Sequence, residues 1–297
     1  MDLISCIITT YKRPISILKR AIDSIVSQTY KNIELIIVND APQDTELEEE
    51  IKNLLDEYKT IPIVYIVNNK NMGACYSRNA GITKARGKFI AFLDDDDEWL
   101  PTKLKKQYEL MIKADVDLVY CSHYEVYRNG KIKLIEECLS KEGKNTDDFE
   151  RLLCENFIGS TSYPLIKLES IKNIGGFNVD LKSSQDYELW LRFAKKYDIA
   201  YLREPLVKYH LTKGSISDNM ENKIQGFEYI LSEFKNEYLD NKIIYNYKLN
   251  YLAFICLKKR NIKYFLYYYT KAIRIIPFTY TNFLIINKLI KRLAYKK

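Results

Sequence analysis

Five acids stand in a row at Asp94-Asp95-Asp96-Asp97-Glu98, directly after the apolar run Phe89 to Leu93. Unit charges about 6 Å apart repel by roughly 2–3 kcal/mol per pair at an effective dielectric near 20, so the run is costly unless a cation sits among it. Hard dications such as Mn²⁺ or Mg²⁺ take carboxylate oxygens and keep coordination positions for substrate phosphates. Metal-assisted phosphate chemistry is therefore the first expectation. A second reading stays open, a solvated acidic loop ahead of the helix that Pro101 opens, because Asp is favoured near a helix N-terminus.

Such a cluster needs a scaffold to deliver it, and the chain alternates short β-branched runs with helix-period segments from its start. That pattern predicts βαβ units, an α/β fold with a mainly parallel sheet. Ile4 to Ile8, Ile33 to Val38, Ile63 to Val67 and Phe89 to Leu93 read as four strands. The first connecting helix follows Pro14 with Ile15, Leu18, Ile22, Ile25 and Val26 on its apolar face; the second carries Leu47, Ile51, Leu54, Leu55 and Tyr58; the third spans about 74 to 85 and stops at Gly87. Open α/β sheets bind ligands outside the carboxyl ends of their strands, where strand order reverses. This collects Thr9 to Arg13, Asp40, Asn68 to Gly73 and Asp94 to Asp97. Neither GxGxxG nor GxxxxGK[ST] is present, which weighs against a dinucleotide fold and a P-loop ATPase. Leu118 to Ser122 is a further strand, residues 124 to 144 a variable loop or hairpin, and Leu189, Trp190 and Phe193 mark a helix with Asp186 in its first turn.

The chain has 297 residues, 47% of them hydrophobic, enough for a large globular core. Its six cysteines are scattered without a CxxC pair, which predicts buried thiols in a reducing compartment, Cys75 among them. No signal peptide and no membrane-spanning stretch are expected. Charge is uneven: residues 241–297 hold 13 Lys or Arg and no acid, leaving 33 basic against 39 acidic residues, a net −6, on residues 1–240. From about 225 onward the pattern is helical, either a helical pair packed on the catalytic part or a basic amphipathic surface for anionic lipid. Nucleic acid is not expected as a partner, since no binding module for it is visible.

The order and spacing of Ile7-Ile-Thr-Thr10-Tyr11-Lys-Arg13-Pro, of Gln28 through Asn39-Asp40, of Asn71-Met-Gly73 with Ser77-Arg78-Asn79, and of Phe89 to Trp99 closely resemble family 2 glycosyltransferases with the GT-A fold. The resemblance continues through Gly175-Gly176-Phe177 and Gln185-Asp186-Tyr187, covering about residues 3 to 217. It implies a Rossmann-like mixed sheet flanked by helices, with the catalytic domain over 1–222 (a nucleotide-sugar half at 1–122, an acceptor half at 123–222) and a basic helical region over 223–297. It also implies nonprocessive, inverting transfer of a sugar from a nucleotide-sugar donor, UDP- or TDP-linked, to a glycan or lipid-linked acceptor. The setting would be cell-surface polysaccharide or glycolipid synthesis on the cytoplasmic face of a membrane, with the C-terminal region resting on anionic lipid.

Carried over residue by residue, the resemblance puts Thr10, Tyr11, Arg13 and Asp40 around base and ribose, Arg78 at base or diphosphate, and Asp95 at the ribose. Asp94-Asp95-Asp96 takes the place of the D-x-D motif, with Asp96 and Asp94 as ligands of Mn²⁺ or Mg²⁺, and Asp186 that of the catalytic base. The chain departs from the family's common pattern at Thr9, Lys12 (often Asn), Ala41-Pro42, Asn178 and Gln185. Thr212 stands where a metal-binding His is frequent, while His210 lies two residues earlier. Two rival functions stay open, a metal-dependent nucleotidyltransferase and a non-catalytic nucleotide-sugar-binding protein.

Overall fold

The computed structural model describes residues 1–136, 142–211, 219–282 and 284. The elements run β1 (Ile4–Thr10), α1 (Ile15–Val26), β2 (Ile33–Asn39), α2 (Thr45–Asp56), β3 (Ile63–Val67), α3 (Ala74–Lys84), β4 (Phe89–Asp94), β5 (Glu98–Trp99) and α4 (Lys103–Ala114). They continue with β6 (Leu118–Val126), β7 (Ile132–Ile135), β8 (Gly143–Lys144), α5 (Asp148–Cys154), β9 (Leu165–Lys167), α6 (Leu168–Asn173), α7 (Gln185–Ala194) and β10 (Ile199–His210). Four helices follow: α8 (Met220–Glu233), α9 (Lys235–Asp240), α10 (Lys242–Lys258) and α11 (Ile262–Ile275).

From one edge the strands are ordered β3-β2-β1-β4-β9-β6-β10-β5, with β7 added to β6 and β8 to β10. β1, β2, β3 and β4 are parallel. β9 then runs antiparallel between β4 and β6, which makes the sheet mixed. Both faces of the parallel part are covered, so its strands are apolar on both sides and almost every residue of β1, β2 and β4 is buried. On one face Ile4, Cys6, Ile8, Leu35, Ile37, Phe89, Ala91 and Leu93 pack with Leu18, Ala21, Ile22 and Ile25 of α1. Gly87 does not cap α3 through a left-handed turn as expected. α3 ends at Lys84, and Gly87 is instead pressed into backbone, where a Cβ would stand 2.7 Å from the Leu3 carbonyl oxygen.

By their contacts the described residues form two compact units, one of 1–148 with 157–216, the other of 149–156 with 217 onward. The second is helical and draws the 149–156 segment into itself: Tyr238 Oη donates to the Leu153 carbonyl at 2.8 Å. Among the described residues no helix is long and apolar enough to cross a membrane. The five described cysteines are free thiols, and burial pushes Cys75 up to about 12, the behaviour of a packing residue and not of a nucleophile.

Candidate active site

Strand order reverses between β1 and β4, and Thr9 lies in register with Asp94 there, while Thr10 pairs with Asn39 of β2. Three carboxyl ends thus meet at one place in the first unit. The acidic run leaves β4 into this crevice, and its carboxylates find partners there, some of them shared.

Asp94 is held by Arg78, whose Nη2 is 2.7 Å from Oδ1, and by the hydroxyls of Ser160 at 3.2 Å and Thr161 at 3.1 Å. Asp95 accepts the Thr10 hydroxyl at 2.8 Å and Arg13 Nε at 2.8 Å. Arg13 also stands 3.3 Å from Asp96. Asp97 is fully buried, accepting the Ser162 hydroxyl at 2.7 Å and the His210 N–H at 3.1 Å. Burial, then the neighbouring Asp94, hold its carboxyl well above the usual range. Glu98 takes His210 Nε2 at 2.7 Å, Arg20 Nε at 3.2 Å and Lys208 Nζ at 3.3 Å. The His210 bond is the largest influence drawing Glu98 down to about 2. The repulsion expected from the sequence is thus met largely by the protein's own cations, and burial with Asp94 beside it raises the proton affinity of Asp97.

Asp96 shares Arg13 with Asp95. Burial raises the Asp96 pKa, Arg13 only partly offsets this, and Asp94 and Asp95 add to it. A dication placed opposite would relieve that charge, so Asp96 fits the implied metal. Asp94 is already engaged by a guanidinium and two hydroxyls. Among the described residues no group of three His, Cys, Asp or Glu converges to hold a metal unaided, so a cation here would draw on Asp96 and on donor phosphates. His210 spends Nε2 on Glu98, and Thr212 lies outside the described residues.

Two non-glycine residues flank the crevice in left-handed backbone: Lys12 (φ 50°) after β1 and Ser184 (φ 59°) before α7. Asn tolerates that region better than Lys, so Lys12 holds an unfavourable backbone conformation there. Tyr11 beside it keeps its ring half exposed. Asp40 is buried and anchors a loop: Oδ1 accepts Asn68 Nδ2 at 2.7 Å and the Met72 N–H at 2.8 Å, and Oδ2 the Gly73 N–H at 2.7 Å. A carboxylate offers about four acceptor positions, so the described bonds leave roughly one for a ligand.

Ser184 opens α7 and places Asp186 in its first turn, where one carboxylate oxygen accepts the Tyr187 N–H at 2.8 Å. Burial raises the Asp186 pKa. The Tyr187 N–H and Arg78 oppose the rise, and Asp94 strengthens it. Arg78 therefore acts on both Asp94 and Asp186, and its guanidinium lies over the Phe177 ring, 5.3 Å from the centroid. Trp190 is wholly buried, its Nε1 donating to the Gly159 carbonyl at 2.9 Å, so it is core.

Sequence reasoning missed four contributors. Arg20 binds the Asp96 carbonyl at 2.6 Å as well as Glu98. Ser160, Thr161 and Ser162 supply hydroxyls to Asp94 and Asp97, and the consecutive run Ser-Thr-Ser was the one signal available for them.

The model of the family described as Glycosyl transferase family 2 matches residues 5–175, more than half of the chain. An uncharacterized glycosyltransferase of Methanocaldococcus jannaschii is 32% identical over 239 residues, 79% of this chain and 80% of that protein. The UDP-Glc:alpha-D-GlcNAc-diphosphoundecaprenol beta-1,3-glucosyltransferase WfgD of Escherichia coli is 30% identical over 264 residues, 88% of this chain and 96% of that protein. Among solved structures, residues 1–349 of S. aureus TarS in complex with UDP-GlcNAc share the fold at a TM-score of 0.69 and 18% identity, over 92% of this chain and 81% of that one. Since the family's pattern spans more than half of this sequence, and a relative at that identity aligns nearly end to end, the chain belongs to glycosyl transferase family 2.

Proposed function

We propose that the chain transfers a sugar from a UDP- or TDP-linked donor to an acceptor hydroxyl, with inversion and one sugar at a time, in the synthesis of a cell-surface polysaccharide or glycolipid. The observation that carries this reading is that Arg78 bonds Asp94 of β4 and also acts on Asp186 of α7. Inverting transfer needs a cation toward the donor diphosphate and a carboxylate base toward the acceptor hydroxyl, and Arg78 and Asp186 are groups of those two kinds.

The exposed ring of Tyr11 is suited to stack on a base. Thr10 and Asp95, hydrogen-bonded to each other at the carboxyl end of β1, would meet the ribose, and Asp40 would accept from the base. Arg13 and Arg78 present guanidiniums for a diphosphate. Asp96 would hold Mn²⁺ or Mg²⁺, whose chemistry when bound is Lewis-acid neutralisation of charge on the departing diphosphate. Asp186 would take the proton of the acceptor hydroxyl as its oxygen attacks, a step that needs only hydrogen-bond reach and no covalent enzyme intermediate. The names of WfgD, which acts on a diphosphoundecaprenol-linked sugar with UDP-Glc, and of TarS with UDP-GlcNAc support a UDP donor and a lipid-linked acceptor.

Thermal stabilisation by UDP, TDP, GDP, CDP and ATP, each with and without Mn²⁺, tests the donor. Ligand at about 100 times its dissociation constant stabilises a fold by roughly 2.7 kcal/mol. A Mn²⁺-dependent shift with UDP or TDP, lost in Asp96→Ala, is the expected result. Stabilisation by ATP alone would favour nucleotidyl transfer and remove the reading.

A further inference from the structure

In the second unit α11 packs on α10 with Phe265, Tyr268 and Ala272 buried. Its opposite side exposes Ile262, Lys263, Leu266, Tyr267, Thr270 and Arg274. The chain then turns through 276–282, and its side chains alternate. Thr279 Oγ1 and Thr281 Oγ1 donate inward to Asn246 Oδ1 of α10, at 3.1 and 3.2 Å. Asn282 Nδ2 donates to the carbonyls of Ile276 and Pro277 at 2.7 and 3.1 Å, and Asn250 Nδ2 to Asn282 Oδ1 at 2.6 Å. Asn246 Nδ2 closes the knot on the Ala272 carbonyl at 2.9 Å, and all three asparagines are buried. Alternating with the inward threonines, Phe278 is 97% and Tyr280 75% exposed.

These side-chain hydrogen bonds tie the turn to α10, although Asn250 Oδ1 is buried without a hydrogen-bond partner. The turn leaves two aromatic rings in solvent directly after a helix whose exposed side carries aliphatic and basic residues. Residues 241–282 contain eight Lys or Arg and no acid. Aromatic rings prefer the membrane–water interface, and each cation near an anionic bilayer raises partitioning roughly fivefold. Single-stranded nucleic acid would use the rings as stacking platforms, yet Ile262 and Leu266 match hydrocarbon, not a phosphate track.

We propose that this face docks on an anionic lipid bilayer, with Phe278 and Tyr280 entering the headgroup region and Lys263 and Arg274 meeting lipid phosphates. The proposal is independent of the donor chemistry, because vesicles free of any glycan acceptor test it. The full chain should sediment with vesicles of phosphatidylcholine and phosphatidylglycerol and stay in solution with phosphatidylcholine alone. Phe278→Ser with Tyr280→Ser should weaken that partitioning by about tenfold or more, and Lys263→Glu with Arg274→Glu should abolish it. Both pairs should keep the wild-type melting temperature and its shift with nucleotide.

Phe278→Trp gives a readout that does not depend on the serine pair folding: its emission should move to the blue with anionic vesicles only. Wild type that ignores anionic vesicles, a serine pair that binds them as wild type does, or a tryptophan that does not shift would each overturn the proposal. So would a dimer in light scattering that the serine pair splits without any vesicle binding, since the face would then belong to a second copy.

Discussion

Asp186 combines burial, a cation and a second acid at one carboxyl, and the balance sets its proton affinity. Burial dominates and raises its pKa, while Arg78 and the Tyr187 N–H limit the rise. A base that holds its proton more tightly than an ordinary aspartate is better matched to an alcohol near neutral pH. Asp186→Asn should therefore lower kcat by about 10²–10⁴-fold and leave the nucleotide-induced thermal shift in place. The sign of the linkage gives a second check. Folded protein binds this proton more tightly than the unfolded chain, so Asp186 costs stability as pH rises through its folded pKa. The Asn variant should thus melt no lower than wild type at neutral pH while turnover collapses. In wild type the acid limb of kcat/KM should lie above the ordinary aspartate range, and Arg78→Met should push it higher still. A limb that ignores Arg78→Met would mean that another group controls the rate.

Strands β1 to β4 and helices α1 and α2 were legible in the sequence, because parallel strands buried on both faces must be near-continuous apolar runs and those two helices show one apolar stripe; α3 has no such stripe and was bounded only by the polar loop before it and Gly87 after it. β9 was not legible: three residues, Leu165–Lys167, carry no period, yet they join β4 to β6 and set the preceding Ser160–Ser162 run against the acidic run. β5 hid inside the acids themselves. The partners of the acidic run come from β1 and the turn after it, α1, α3, β10 and the segment before β9, so no local spacing could show their pairing. Asn79 illustrates this. Its side chain donates to the Phe177 carbonyl and accepts the Phe177 N–H, each at 2.8 Å, tying α3 to the loop that leads into α7. Gly176 beside it, at φ 68°, leaves room for that amide, since a Cβ there would stand 2.5 Å from Asn79 Oδ1. Asn79→Ala would strand two buried backbone groups and should cost about 2–4 kcal/mol, seen as a lower urea midpoint at unchanged m value. Because the same loop positions Asp186, kcat should fall more than nucleotide affinity does. Equal loss in both would show that α3 itself had moved.

The division into two units has consequences for the molecule as a whole, because the two proposed sites fall in different units. The residues proposed to bind nucleotide all lie in the first. In the second, Lys248 is fully buried, with Nζ 3.3 Å from the Cys154 carbonyl and close to the rings of Phe227 and Tyr251. Burial lowers its pKa to about 7, whereas an unfolded lysine keeps its proton to about 10.4. Between pH 7 and 9 the unfolded chain therefore binds more protons than the folded one, and stability must rise with pH, by about 2 kcal/mol over that interval. Calorimetry of the full chain should show two transitions. UDP with Mn²⁺ should move one, and raising the pH from 7 to 9 should move the other upward. Lys248→Met should raise that second transition at pH 7 and remove most of its pH dependence, since no charge is left to desolvate. If instead a single transition answers to both nucleotide and pH, the two units melt as one cooperative body, and whatever the helical unit docks on is energetically linked to the donor site.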